Sequence, residues 1–150
     1  MKKLLLITIL AVFLIGSLAF TSVGLINEIN EVRTDYGIVT LNHSLILDDF
    51  AEYRLSKVDA SVPLKHPDNY RKDFEKFLRI NHLKDIYGRG EIIARSTKNL
   101  NINDYIQGWL TSPPHRKAML DGMYTDVGYC MSNINEKYVI VVEFMGKVKN

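Results

Sequence analysis

Three side chains in this sequence have the chemistry to act together in metal binding or proton transfer. They are His66, Glu91 and His115, two imidazoles and one carboxylate. Neutral imidazole and carboxylate groups are ligands that suit zinc, and each can also carry a proton in catalysis. The intervals between them, 25 and 24 residues, match no local metal-binding motif. The fold must therefore bring these side chains together if they share a site.

Each of these residues also has a purely structural interpretation. His66 precedes a proline, which is compatible with a solvated histidine in a loop. His115 can bond a backbone carbonyl at the start of a helix, and Glu91 can cap the end of a neighbouring helix. His43 and His82 are interpreted as surface histidines.

Ser112 and Cys130 are the remaining candidates for a nucleophile. Ser112 precedes Pro113, an arrangement typical of a helix cap followed by the first helical residue, so a structural role is favoured. Cys130 is the only cysteine, which excludes a disulfide within the chain. Its apolar stretch disfavours a thiolate, so a thiol hydrolase is not favoured. We expect burial as a small apolar residue rather than pairing between two chains.

The chain begins with the pattern of an export signal. A positively charged start is followed by an apolar run from Leu4 to Phe20, and Ser17 and Ala19 supply the small residues that a signal peptidase requires. A run of about 17 residues lies between the length of a signal core and that of a membrane span. Residues 1–19 are therefore predicted to be a signal peptide or an N-terminal membrane anchor, with cleavage favoured. Residues 20–150 then form one exported domain, either secreted or held at the cell surface or envelope.

The charge balance argues against a nucleic-acid partner. The formal net charge of the whole chain is +2, and Lys2 and Lys3 in the removable segment account for it. The exported part is therefore neutral, whereas binding to nucleic acid needs a basic excess. A membrane partner is expected only through an uncleaved N-terminal segment.

Apolar residues at helical spacing predict four helices. The first extends from Thr21 to about Tyr36 and stops at Gly37. The second follows Ser44 as its cap, and the third follows Pro67-Asp68. The fourth runs from about Asn103 to Leu110, after which the Ser112 cap opens a short fifth helix that Gly122 closes. The apolar face of the first helix is predicted to comprise Leu25, Ile29, Val32 and Tyr36.

The end of the chain predicts a sheet. Val127–Met131 and Tyr138–Val142 flank a polar loop and form a predicted β-hairpin, and Glu91–Ala94 is a further extended segment. The second hairpin strand is apolar on both faces, which fits a sheet covered by helices on both sides. The sequence therefore predicts a three-layer α/β/α sandwich.

The sequence also predicts the roles of two residues that lie in apolar surroundings. Trp109 is predicted to be a packing anchor between a helix and the sheet. Glu143 lies inside an apolar strand, where a buried acid needs a partner, and Arg116 or Arg33 are the candidates.

The order of several motifs resembles the bacterial branch of the CAP superfamily, which comprises cysteine-rich secretory proteins, antigen 5 and plant pathogenesis-related proteins. The most specific is Ser112-Pro113-Pro114-His115-Arg116, where the family usually has Ser-Pro-Gly-His-Arg. The next is Gly90-Glu91-Ile92-Ile93-Ala94, where the family favours Gly-Glu-Asn-Ile-Ala. The resemblance spans Leu25 to Gly146 and implies a CAP-type fold with a small, mainly antiparallel central sheet.

The resemblance also implies a site. In CAP proteins two histidines and one or two glutamates line a central cleft and can hold a divalent metal, often zinc. His66, Glu91 and His115 match these positions, and Ser112 and Arg116 are expected to support the cleft.

Three departures from the family pattern affect this site. Ser112 stands where animal and plant members have a second glutamate, so the ligand set is incomplete. Ile92 replaces an asparagine beside Glu91, and Pro114 replaces a glycine before the histidine. The proline stiffens the backbone and removes one N–H donor.

The resemblance favours binding over catalysis. The expected function is that of an exported binding module whose cleft holds zinc or another divalent metal and a small molecule, lipid, glycan or peptide. The alternative is a metal-dependent hydrolase in which His66 and His115 hold the metal and Glu91 is a ligand or general base. One carboxylate cannot be both metal ligand and general base, so the hydrolase interpretation lacks one of the groups it requires.

Overall fold

The structure is a computed structural model that describes residues 24–66 and 68–148. The predicted signal segment lies outside these residues. Within them, no helix is long and apolar enough to cross a membrane.

The described chain alternates helices with the strands of one sheet. Helix α1 comprises residues 24–35, and the other helices are α2 (Leu45–Leu55), α3 (Tyr70–Ile80), α4 (Ile102–Thr111) and α5 (Pro113–Met119). The strands are β1 (Asn42–His43), β2 (Ile86–Ser96), β3 (Asp126–Ile134) and β4 (Lys137–Lys147). The predicted mixed α/β fold is confirmed.

Local signals account for most of the helix ends. Gly37 follows α1 with φ of 68°, a left-handed conformation that favours glycine at a helix end. Ser44 caps α2, and its hydroxyl accepts from the Leu47 N–H at 3.4 Å. Helix α4 begins at Ile102, slightly earlier than predicted, because Asn101 and Asp104 form a capping box.

Helix α5 differs from its prediction at both ends. Ser112 occupies the N-cap position, but its side chain makes no capping hydrogen bond. The helix ends at Met119, with Leu120 as its C-cap, so Gly122 does not close it.

The sheet has the strand order β1-β3-β4-β2 and is mixed. Strands β3 and β4 form the predicted antiparallel hairpin, and Asn135 and Glu136 join them with φ of 51° and 62°. Positive φ at both turn residues matches the right-handed twist of a two-residue hairpin. Strand β2 is also antiparallel to β4, whereas β1 pairs in parallel with β3. The sheet is thus mixed and not purely antiparallel, although both of its long strand pairs are antiparallel. The parallel pair is possible because α2 lies in the connection between β1 and the later strands.

Helices cover both faces of the sheet because alternate residues of each strand point to opposite sides. Ile92 and Val142 pack in one cluster with buried residues of α1, α4 and α5, including Trp109, which is 2% exposed. Ile93 and Val141 pack on the other face in a cluster with residues of α2. The prediction that Trp109 is a packing anchor is confirmed.

The predicted apolar face of α1 is wrong at one end. Tyr36 is 50% exposed, whereas Arg33 is fully buried on the face that packs inward. The Arg33 guanidinium donates to the backbone carbonyls of Val39, Met119 and Asp121 at 2.8–3.0 Å. A buried arginine can thus occupy a core position when backbone acceptors satisfy its donors.

Helix α2 approaches β3 closely at Gly128. A Cβ atom at this position would lie 2.5 Å from the backbone nitrogen of Asp48, so no larger residue fits without displacement of the backbone. Asp48 Oδ1 also accepts from the Tyr129 N–H at 2.8 Å. These contacts fix the start of α2 on the sheet and thereby position the side chains farther along the helix.

Candidate functional site

Two glutamates face each other at the centre of the sheet. Glu91 on β2 is the register partner of Glu143 on β4. The Glu91 side chain is 0% exposed, and Glu143 is fully buried as well. Two adjacent buried carboxyls do not both ionise without a compensating cation.

Arg54 supplies that cation from helix α2. Its Nε donates to Oε2 of Glu91 at 2.8 Å, and its Nη2 donates to Oε1 at 3.4 Å. Burial alone would raise the pKa of Glu91, but the hydrogen bonds from His66 and Arg54 outweigh it and lower that pKa. Glu91 is therefore ionised and paired inside the protein.

His66 joins this pair from the loop of residues 59–66. Its Nδ1 lies 2.6 Å from Oε1 of Glu91, while its side chain is 54% exposed. The hydrogen bond to Glu91 raises the pKa of His66. A buried carboxylate that bonds one ring nitrogen fixes the ring orientation and leaves Nε2 for other contacts.

One oxygen of Glu143 has a tyrosine and not an arginine as its hydrogen-bond donor, and Oε1 has no hydrogen-bond partner among the described residues. The Tyr70 hydroxyl on α3 donates to Oε2 of Glu143 at 2.7 Å. Burial and the nearby Glu91 charge raise the pKa of Glu143 well above its usual range, so this acid is neutral. The expectation that Arg33 or Arg116 pairs with Glu143 is wrong, because Arg33 bonds backbone carbonyls and Arg116 contacts Tyr36.

His115 and His66 line the same pocket, which we call the histidine pocket. It has a volume of about 490 Å³ and is lined by Pro63, Leu64, Lys65, His66, Ile93, Ala94, Arg95 and His115. Burial, followed by the nearby His66, lowers the pKa of His115. The fold therefore brings the loop histidine, the strand glutamate and the helix histidine into one region.

A second pocket lies on the other side of the same loop. Its lining includes Arg54, Lys57 and Asp59, and it shares Pro63, Leu64 and Lys65 with the histidine pocket. The loop thus forms a wall between two depressions on the surface.

Comparison with known proteins identifies the fold family. Residues 26–144 match the CAP family, described as the cysteine-rich secretory protein family. The chain belongs to the CAP family. No curated protein matches this sequence at a significant level.

Several solved structures share the CAP fold of this chain. One is an outer surface protein from Borrelia burgdorferi, with a TM-score of 0.68 and 19% identity over 83% of this chain and 90% of that chain. A second is a cysteine-rich secretory protein from Staphylococcus aureus, with a TM-score of 0.66 and 19% identity over 86% of this chain and 39% of that chain. A third is an extracellular protein containing an SCP domain from Bacillus anthracis, with a TM-score of 0.65 and 19% identity over 86% of this chain and 41% of that chain. The chain spans less than half of the last two proteins.

The donor set of this CAP domain does not fit a three-ligand metal site as it is arranged here. Across residues 24–66 and 68–148, no group of three or more His, Cys, Asp or Glu side chains is placed to hold a metal ion. Both oxygens of Glu91 accept hydrogen bonds from Arg54, and Oε1 also contacts His66. A divalent ion at Glu91 would have to displace a buried guanidinium.

The two residues expected to support the cleft lie one helical turn apart at the start of α5. Ser112 precedes the helix, and its backbone carbonyl accepts from the Arg116 N–H at 2.8 Å. The Arg116 guanidinium stacks on the ring of Tyr36 at 5.2 Å and donates to its hydroxyl at 3.2 Å. Arg116 therefore ties α5 to the end of α1.

Cys130 is free and partly buried against the cluster that includes Ala51 and Val141. Burial raises the pKa of its thiol. This environment opposes thiolate formation, as its apolar strand predicts.

The sequence motifs did not identify Arg54 and Tyr70 as residues of the site. Arg54 occupies a position on the inward stripe of α2, three residues after Ala51 and next to Leu55, where helical spacing predicts an apolar side chain. A basic residue inside an apolar stripe, together with an acid inside an apolar strand, is the signal that points to a buried ionic network.

Proposed function

We propose that this protein is an exported CAP-domain binding module whose ligand site is the histidine pocket. The observation that carries the proposal is that His66 and His115 line one pocket, with His66 held by the buried carboxylate of Glu91. Fixed polar groups beside apolar residues are typical of small-molecule sites. The volume of about 490 Å³ is in the usual range for such sites.

The ligand is a small molecule, or part of a lipid, glycan or peptide. Pro63, Leu64 and Ile93 offer apolar contact, while the two histidines offer hydrogen bonds that fix orientation. The pocket is open to solvent on the side of His66, whose side chain is half exposed. A ligand can therefore enter without separation of the helices from the sheet.

Export is supported by the N-terminal pattern and by the fold relatives. Residues 1–19 have the composition of a signal peptide or anchor. The relative from Borrelia burgdorferi is an outer surface protein, and the relative from Bacillus anthracis is an extracellular protein. We propose the same side of the membrane for this chain, secreted or attached at the cell surface.

The geometry favours binding over metal-dependent hydrolysis. A hydrolase of the expected kind needs Glu91 as a metal ligand or as a general base toward water. Glu91 is inaccessible to solvent, and its oxygens are occupied by Arg54 and His66. The carboxylate orients a histidine here, which a binding site also requires.

A zinc ion held by His66 and His115 stays a prediction. Calorimetric titration of zinc into wild type, His66→Ala and His115→Ala tests it. Tight binding that both substitutions abolish supports the metal. Equal affinity in the three proteins contradicts it.

Chemical-shift mapping by NMR tests the ligand site itself. Representative soluble glycans, short peptides, short-chain lipids and small metabolites are added separately to the exported domain. We expect at least one class to shift the amides of Lys65, His66 and Ala94, and His115→Ala to weaken that binding. His82→Ala is the matched control because His82 is exposed and lies outside the pocket. Shifts confined to another surface, or an equal effect of the two substitutions, would overturn the proposal.

A further inference from the structure

The histidine pocket is lined by cations and has no acidic side chain among its described lining residues. Lys65 and Arg95 are exposed at its wall. Arg95 donates from Nη1 to the carbonyls of Ala60 and Val62, at 2.7 Å each. Within the described residues both hydrogen bonds of Arg95 start from Nη1, so its Nη2 and Nε donors are available to a ligand.

The carboxylate that contacts His66 is buried behind the pocket and paired. Glu91 lies behind His66 with no exposed side-chain surface, and Arg54 neutralises its charge at 2.8 Å. A ligand in the pocket therefore meets the fixed charges of Lys65 and Arg95 without a compensating acid. This arrangement favours an anionic ligand.

We propose that the histidine pocket recognises a compact oxyanion of the phosphate type, carried on a small molecule as a phosphate monoester. This inference rests on the proposed function, since it names the ligand class of the same pocket. Arg95 presents a planar fork to two oxygens, Lys65 contributes a point charge, and the imidazoles of His66 and His115 supply further donors. The apolar residues Leu64 and Ile93 contact the rest of the molecule.

Lys65 is the residue that tests the proposal most directly. Its side chain makes no hydrogen bond or ion pair within residues 24–66 and 68–148, so its removal leaves the fold intact. Lys57 is the matched control, because it lines the neighbouring pocket and not the histidine pocket. Lys65→Gln and Lys57→Gln change the net charge of the protein equally.

The experiment measures binding of inorganic phosphate and of glycerol phosphate by NMR titration at constant ionic strength, with acetate and glycerol as comparison probes. We expect both phosphates to shift the amides of Lys65, His66 and Arg95, and glycerol phosphate to bind at least as tightly as inorganic phosphate. Loss of one charged hydrogen bond predicts about tenfold weaker binding in Lys65→Gln. Lys57→Gln should change the affinity less than about twofold.

Three outcomes overturn the oxyanion assignment. They are equal weakening by the two lysine substitutions, acetate binding as tightly as phosphate, and absence of phosphate shifts in the pocket. If a neutral glycan or peptide still binds at His66 and His115 in that last case, the proposed binding function stands and the ligand class is wrong. If no probe of any class shifts the pocket, both proposals fail.

Discussion

Arg54→Met removes the cation of the buried ion pair and leaves most of the side-chain volume in place. Glu91 then loses its donors at 2.8 and 3.4 Å and retains only His66 as a charged neighbour. Breaking one side of a buried pair typically costs about 3 to 5 kcal/mol of unfolding free energy. Because the side chains of Arg54 and Glu91 are 4% and 0% exposed, solvent cannot screen this loss. We expect a deficit of that size near pH 7, measured by urea denaturation.

The pH dependence identifies the cause of the deficit. In the wild type the lowered pKa of Glu91 contributes stability that is present above the unfolded pKa of about 4.3 and is lost as pH falls through the folded pKa. Without Arg54, two of the contributions that lower the Glu91 pKa are gone, and burial shifts it upward. The deficit of Arg54→Met should therefore be largest near neutral pH and shrink as pH falls and the variant takes up a proton.

Two further variants make this test decisive. The double variant Arg54→Met/Glu91→Gln should be more stable than the sum of the two single-variant losses predicts, because it has no uncompensated buried charge. Arg71→Met is the control, since Arg71 pairs with Glu75 on the exposed face of α3, where solvent screens the pair and its loss should change stability little. A cost for Arg54→Met that equals the control, or a deficit that does not vary with pH, would refute the buried-pair interpretation.

Three other predictions follow from the described contacts. Glu143→Gln should raise stability at pH 7, because the raised pKa of Glu143 makes wild-type stability fall as pH rises above about 4.3. Denaturation of both proteins across pH checks that stability falls less steeply with pH in the variant. Trp109→Ala should destabilise the domain by roughly 3 to 5 kcal/mol, and a loss below about 1 kcal/mol in the same assay would contradict its burial. The exported protein should begin near Phe20 or Thr21, which intact mass spectrometry of material from the medium or envelope checks, whereas retention of Met1–Ala19 would indicate an anchor.

Much of the fold was predictable because its signals are local. Gly37, the Ser44 cap and the spacing of apolar residues defined the helices near their observed bounds, and the polar loop between two apolar runs defined the hairpin. Strand partners were not predictable, since apolar periodicity does not state which strand lies beside which. The parallel pair of β1 with β3 is only two residues long, which is too short for a recognisable strand pattern in the sequence.

The candidate site was predictable in part. The motifs around Glu91 and His115 marked residues that the fold brings to one region, but they do not encode the partner of Glu91. That partner is Arg54, and its place within an apolar stripe of α2 does not indicate which acid it pairs with. Tyr70 lies on an apolar helix face, and periodicity does not distinguish a ring that only packs from one whose hydroxyl also donates.

The loop between the two pockets is held in part from the start of β4. The Ala60 carbonyl accepts from Lys137 Nζ at 2.8 Å as well as from Arg95, so the first residue of β4 helps to hold the loop. Lys137 follows directly after the turn residues Asn135 and Glu136. A residue inserted in that turn would move the lysine and release one support of the loop, without any change among the residues that contact a ligand. The hairpin turn lies outside the residues that line the pocket, so changes in the turn can alter the width of the pocket without altering its chemistry.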